Sequence, residues 1–121
     1  MNFKIDTKEK MHVITVEEDS LTVNMTEDIK LLLLPYLNKP IKNIIVNLKL
    51  VSHLDDEIAV LLAEIQNTFY TAGNSMVICE LTKNIRNSLD EKDLLDQLNI
   101  TPTESEAWDI VQMEEIEREY L

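Results

Sequence analysis

The sequence predicts an α/β domain with a largely parallel sheet. Strand-like and helix-like segments alternate along the chain from residue 11 onward. The run Asn43-Ile44-Ile45-Val46-Asn47-Leu48 sets three β-branched residues in succession, as in a central strand covered on both faces. Ile58, Leu61, Leu62, Ile65 and Phe69 recur at the spacing of one helix face. Such alternation implies parallel strands joined by right-handed crossovers. Two strand-like segments precede the first helix, which predicts an antiparallel hairpin at one edge.

Met11-His12-Val13-Ile14-Thr15-Val16 is rich in β-branched residues and reads as a strand. Residues 3–6 form a strand leading into it across a turn at 7–10, and residues 21–23 form a further short strand. Thr26 is the expected N-cap of the first helix, with Glu27 and Asp28 in the turn where the helix dipole favours acids. Ile29, Leu32, Leu33 and Tyr36 keep helical spacing, and Pro35 kinks or stops that helix. After the 43–48 strand, Asp55, Asp56 and Glu57 load the first turn of the second helix with negative charge. Gly73, the only glycine in the chain, is its stop signal. Residues 75–81 are the next strand, and Thr82 caps a helix that carries Ile85 and Leu89. Leu94, Leu95, Leu98 and Ile100 form an apolar patch, read as a helical turn and a short strand. Thr103 and Glu106 match the spacing of a capping box opening the last helix, which presents Ala107, Trp108, Ile110, Val111 and Met113.

The chain has 121 residues, the size of one domain. Residues 1–121 are therefore read as a single domain, with 114–121 as an acidic helical extension or frayed tail. Aromatic residues make up only 5% of the chain, so its core is aliphatic. The formal net charge is −12, which repels phosphate backbones and argues against nucleic-acid binding. A partner with a basic patch would instead be steered toward this surface. The lone cysteine, Cys79, forms no intrachain disulfide and sits in the apolar run Met76-Val77-Ile78-Cys79, where a small core residue is expected. The amino-terminal residues show no signal-peptide pattern. The longest leucine run, residues 31–34, is too short to span a bilayer. The expectation is a soluble cytoplasmic protein without membrane insertion.

The chemistry-bearing motifs are sparse. A single glycine leaves no Gly-rich phosphate loop. No metal-ligand spacing or nucleophile elbow is present, so neither catalysis, cofactor nor metal is expected. Neighbouring carboxylates on one turn, as in Asp55-Asp56-Glu57, diverge, whereas a hard cation needs oxygens from several segments. Ser52 is expected at a buried strand end and His53 as a partly buried residue beside it. No serine or cysteine nucleophile pairs visibly with His53. His12 sits in a strand as a structural or surface residue. Trp108 falls at helical spacing, as a core or groove residue does.

Val51-Ser52-His53-Leu54-Asp55-Asp56-Glu57-Ile58 resembles the signature of the STAS family of anti-sigma-factor antagonists. There a hydrophobic strand ends in a pattern like Ile-Ser-Phe-Met-Asp-Ser-Ser-Gly and a helix comes at once after it. Gly73-Asn74-Ser75-Met76-Val77-Ile78-Cys79 is similar to the family's Gly-Gly-hydrophobic run. Leu98-Asn99-Ile100, with the capped Glu-rich helix after it, resembles the family's last strand and helix. The likeness runs from about residue 3 to residue 111. It implies a mixed sheet of four to five strands, about four helices packed mainly on one face, and no catalytic centre.

The resemblance also implies a role in signal transduction and transcription regulation. The partner it implies is an anti-sigma factor that is a serine-protein kinase-like protein, bound through the loop and helix start after the buried strand. Asp55, Asp56, Glu57 and Ile58 match that surface, and Asn24 and Met25 lie where it continues. The two serines of the pattern are Asp56 and Glu57 here, and its glycine is Ile58. Glu57 stands at the phosphoacceptor position. A carboxylate accepts no stable phosphoester, and it carries about one negative charge against the ~1.5–2 of a phosphate. Two other readings use the same residues. One is a scaffold or accessory subunit of a sensory complex or transporter. The other is a receiver-like phosphoacceptor domain, with acids at Glu17 and Glu18 and an acceptor at Asp55 or Asp56. That reading lacks the late lysine, because Thr101-Pro102 comes after Ile100.

Overall fold

The computed structural model describes residues 1–120; position 121, the end of the expected domain and of its 114–121 tail, lies outside the described residues. The strands are β1 (Phe3–Thr7), β2 (Met11–Val16), β3 (Ser20–Leu21), β4 (Asn43–Asn47), β5 (His53–Leu54), β6 (Met76–Cys79) and β7 (Ile100–Thr101). The helices are α1 (Thr26–Leu33), α2 (Asp56–Thr71), α3 (Lys83–Glu91) and α4 (Glu104–Tyr120). Five strands form one sheet in the order β1-β2-β4-β6-β7, and β3 pairs with β5 in a separate ribbon. The first pair is antiparallel, with Ile5 opposite Ile14, and every other pair in the sheet is parallel. The predicted edge hairpin and parallel body are both present. The antiparallel first strand also removes the receiver-like reading, whose doubly wound fold is built on a parallel sheet with another strand order.

Strand alternation divides the interior in two. Ile14, Val16, Ile44, Val46, Met76 and Ile78 face the larger core, where α1, α2 and α3 bring Ile29, Leu33, Ile58, Leu62, Phe69, Ile85 and Leu89. Met11, Val13, Ile45, Val77 and Cys79 face the other side, covered by Ala107 and Val111 of α4. Three helices thus share one face, and α4 alone covers the other. Each large aliphatic side chain taken fully from water on the thick side contributes about 1.5–3 kcal/mol.

Local chemistry sets the boundaries. Helix α2 ends in a Schellman motif: Asn74 N–H donates to Phe69 O (2.9 Å) and Gly73 N–H to Tyr70 O (3.0 Å). Gly73 takes φ of 79°, open to glycine without strain. Thr82 caps α3 as expected, accepting from Ile85 N–H at 3.4 Å. Thr103 Oγ1 accepts from Glu106 N–H (3.2 Å) and donates to Glu106 Oε1 (3.0 Å), which is half of the expected capping box. Two expectations need correction. Thr26 is the first residue of α1 and not its cap; its hydroxyl donates to Val23 O at 2.7 Å, closing a 3-10 turn over Val23–Met25. That turn also takes Val23 out of the expected 21–23 strand. Pro35 stops the α-helix after Leu33, and the chain runs on as a 3-10 turn over Leu34–Asn38.

Candidate functional site

The buried strand β4 ends at Asn47, and residues 48–55 carry the chain out to the surface before α2 begins. The short ribbon holds this crossing in place. Ser52 N–H and His53 N–H both donate to Asp19 O (2.7 and 3.2 Å), and Asp55 N–H donates to Leu21 O (2.9 Å). Asp55 then occupies the N-cap position of α2 with extended backbone, while its carboxylate makes no cap bond. Instead Asp55 Oδ2 accepts from Val23 N–H (2.9 Å) and Oδ1 from His53 Nε2 (2.8 Å). One side chain therefore staples the start of α2 to the turn before α1, at Val23, the residue next to Asn24. The His53 hydrogen bond, then that from Val23, hold the Asp55 carboxyl below its ordinary range.

Helix α3 closes the other side. Lys92 Nζ lies 2.9 Å from Asp56 Oδ1, with both side chains about half exposed, so the pair positions the two elements more than it stabilises them. Between them lies a cleft of about 330 Å³ lined by Ser52, His53, Asp56, Glu57, Ser88 and Lys92, among others. Hydroxyl, imidazole, ammonium and carboxylate groups thus line one open concavity. Glu57 stands exposed on the first turn of α2, where its charge suits the helix dipole.

The expected surface residues differ in their exposure. Asn24 and Glu57 are exposed, and Asp55 and Asp56 are partly so. Met25 is half-buried against the larger core. Ile58 is a correction: it is 0% exposed, because α2 turns its 58-61-62-65 face onto the sheet, and it cannot touch a partner. Ser52 and His53 are corrections as well. Both are exposed, since Val51 and Leu54 take the inward positions on either side of them. Lys92 and Ser88 were not expected at the site. Helix α3 brings them from far along the chain, and no local pattern in the sequence signals it.

The remaining singled-out residues lie apart. Burial pushes the Cys79 thiol up to about 12, so it is protonated at neutral pH and packs as a core residue. His12 is buried, its Nδ1 2.9 Å from Thr7 Oγ1 and its ring tilted by 52° against that of Tyr36, with centroids 4.7 Å apart. Trp108 is half-buried beneath Lys8 Nζ, 5.3 Å from the ring centroid. Among the described residues, no three His, Cys, Asp or Glu side chains are grouped to hold a metal ion. No helix among them is long and apolar enough to cross a membrane.

A mixed sheet with a stapled surface loop at the start of its second crossover helix defines a class of small α/β module whose candidate site is a surface rather than an enclosed chamber. The STAS domain profile matches residues 2–107, and the chain belongs to the STAS domain family. Solved structures share the fold at low identity. An anti-sigma factor antagonist from Mycobacterium paratuberculosis is 12% identical, with a TM-score of 0.77 over 92% of this chain and 93% of that one. The unphosphorylated anti-sigma factor antagonist SpoIIAA is 18% identical, with a TM-score of 0.71 over 92% and 96%. The murine anion transporter Slc26a9 contains the fold within a longer chain. It is 13% identical, with a TM-score of 0.67 over 86% of this chain and 18% of the transporter. No curated protein matches this chain by sequence.

Proposed function

We propose that the chain is a non-catalytic, cytoplasmic binding module that regulates an anti-sigma factor or serine-protein kinase-like partner, and that serine phosphorylation does not switch it. Asn24, Asp55, Asp56 and Glu57 form the docking surface. Asp55 acts chiefly as the staple that holds the other three together. The observation that carries this reading is Glu57, an exposed carboxylate on the first turn of α2, at the position where the STAS pattern carries its phosphoacceptor. A carboxylate carries less negative charge than a phosphate, and no phosphatase cleaves it from the chain. The complex therefore forms or fails to form without a covalent signal at this position.

The test compares wild type with Glu57→Ser and Ser52→Ala. Each is incubated with a kinase-type anti-sigma factor and ATP, then weighed intact. The expected result is an unmodified wild type that co-elutes with the partner, while Glu57→Ser gains one phosphate and lets the partner go. Because Ser52 is exposed, phosphate on the wild type that disappears in Ser52→Ala would overturn the unswitchable reading.

The second reading is an accessory domain within a transporter or a sensory complex. The presence of this fold inside the Slc26a9 chain favours it. Purification of the tagged chain from its own cell separates the two. Recovery in a membrane fraction or a large assembly without an anti-sigma factor supports the second reading.

A further inference from the structure

Helix α4 is amphipathic in the wrong sense for a surface helix. In its first half Ala107 and Val111 pack onto the sheet. In its second half the residues that turn inward are polar. Glu114 Oε1 accepts from Ser75 Oγ (2.6 Å), and Glu115 Oε1 accepts from Asn43 Nδ2 (2.6 Å). Arg118 Nη2 donates to Ser75 Oγ (3.1 Å) and Asn43 Oδ1 (3.3 Å). The apolar residues of the same turns face water: Met113 is 52%, Ile116 53% and Tyr120 81% exposed. At about 100° per residue these three form one continuous stripe. Glu106 and Glu117 flank it on one side, Glu119 on the other, and Asp109 stands at its N-terminal end. The stripe lies wholly beyond residue 107, where the STAS match ends.

We infer that this outer face of α4 is a second docking surface, and that its occupant is a basic amphipathic helix of another protein. Charge decides the occupant. Arg118, the one basic residue of α4, is turned inward. Of the cations on other elements, Lys8 and Lys10 lie beside Trp108, Gln112 and Ile116 together with Glu9, Lys42 lies by Glu115, and Lys8 is paired with Asp6 at 2.9 Å. A second copy would set acid against acid on a chain of net charge −12. Lysines or arginines flanking an apolar helix stripe would meet Glu106, Glu117 and Glu119 while its apolar side chains cover Met113, Ile116 and Tyr120. The surface is independent of the Glu57 site.

A synthetic leucine–lysine amphipathic helix, fluorescently labelled, is titrated with the full chain, and a leucine–glutamate counterpart serves as control. The expected result is saturable binding of the leucine–lysine helix alone. It weakens as salt rises and falls about tenfold in the double variant Met113→Ser/Ile116→Ser, which keeps every charge. Asp56→Asn/Glu57→Gln binds as wild type does. No binding, equal binding by the double variant, or loss in the Asp56/Glu57 variant would overturn the inference. Sedimentation equilibrium closes the remaining route. A wild-type dimer that the double variant dissolves would make the occupant a second copy and overturn the assignment to a basic partner.

Discussion

Helices α2 and α4 are nearly equal in length, 16 and 17 residues, yet they meet the sheet in opposite ways. Helix α2 buries Ile58, Ala59, Leu61, Leu62, Ala63, Ile65 and Phe69. Helix α4 buries only Ala107 and Val111. The cause lies in what each helix crosses. Helix α2 lies over alternate aliphatic residues of the strands. The second half of α4 lies over the strand starts, where Asn43 and Ser75 are buried and Ser75 N–H already depends on Asn43 Oδ1 at 2.8 Å. Buried polar groups must be bonded, so the helix above them supplies carboxylates and a guanidinium, and its apolar residues are left facing out. Hydrophobic periodicity reports the inward face of a helix only where the surface beneath it is itself apolar.

The sharpest way to break this contrast is to damage each anchor by its own chemistry. Phe69→Ala empties a site that is 0% exposed and should cost about 3–5 kcal/mol in the whole-domain unfolding free energy, read by urea titration. Asn43→Ala removes the hub that serves Ser75, Glu115 and Arg118. It should cost about 1–3 kcal/mol, because buried polar partners are left unbonded. The loss should be local as well as global, with amide exchange rising first in the second half of α4. A uniform rise across the sheet instead would mean that the polar anchor belongs to the main core.

The same physics decides how much was legible in the sequence. The residues of β2, the 58-61-62-65-69 face of α2, the Gly73 stop and the Thr82 cap are local patterns, and the structure carries all of them. Ser52 and His53 mislead because the apolar residues Leu48, Val51 and Leu54 around them read as a continuation of the buried 43–48 strand. The chain has in fact already left the sheet, and the β3–β5 ribbon, set by pairing with Asp19 and Leu21, decides which side chains emerge. Ile58 misleads because the residues of the family's loop signature read as a block, although helical spacing already assigns it inward. Lys92 and Arg118 reach their partners across tens of residues, and no periodicity encodes such contacts.

Smaller effects appear in the pH dependence of stability on the α2 side of the sheet. Burial lowers the pKa of His12 from 6.5, with Lys39 adding to it. The unfolded chain therefore takes up a proton first, and stability falls as the pH drops below about 6.5. His12→Asn should flatten that limb of a stability profile. The lowered Asp55 pKa acts further into acid. Its contribution is complete above the ordinary carboxylate range near 3.8 and is lost as pH falls through its depressed folded value. Asp55→Asn should match the shape of the wild-type profile down to about pH 5 and diverge from it only below. Divergence between pH 5 and 7 would show that the staple is not what Asp55 protonation controls.

The smallest expected effect is also the one that tests the reversed helix most directly. If the apolar stripe of α4 contributed to the fold, replacing it would cost as much as replacing buried aliphatics. Met113 and Ile116 are both more than half exposed, and the helix is anchored through Glu114, Glu115 and Arg118 on its opposite side. Met113→Ser/Ile116→Ser should therefore shift the unfolding free energy by no more than about 0.5 kcal/mol per site, with the helix signal in circular dichroism unchanged. A loss of about 2 kcal/mol or more would mean that these side chains pack inward in solution, and both the contrast with α2 and the second docking surface would go with it.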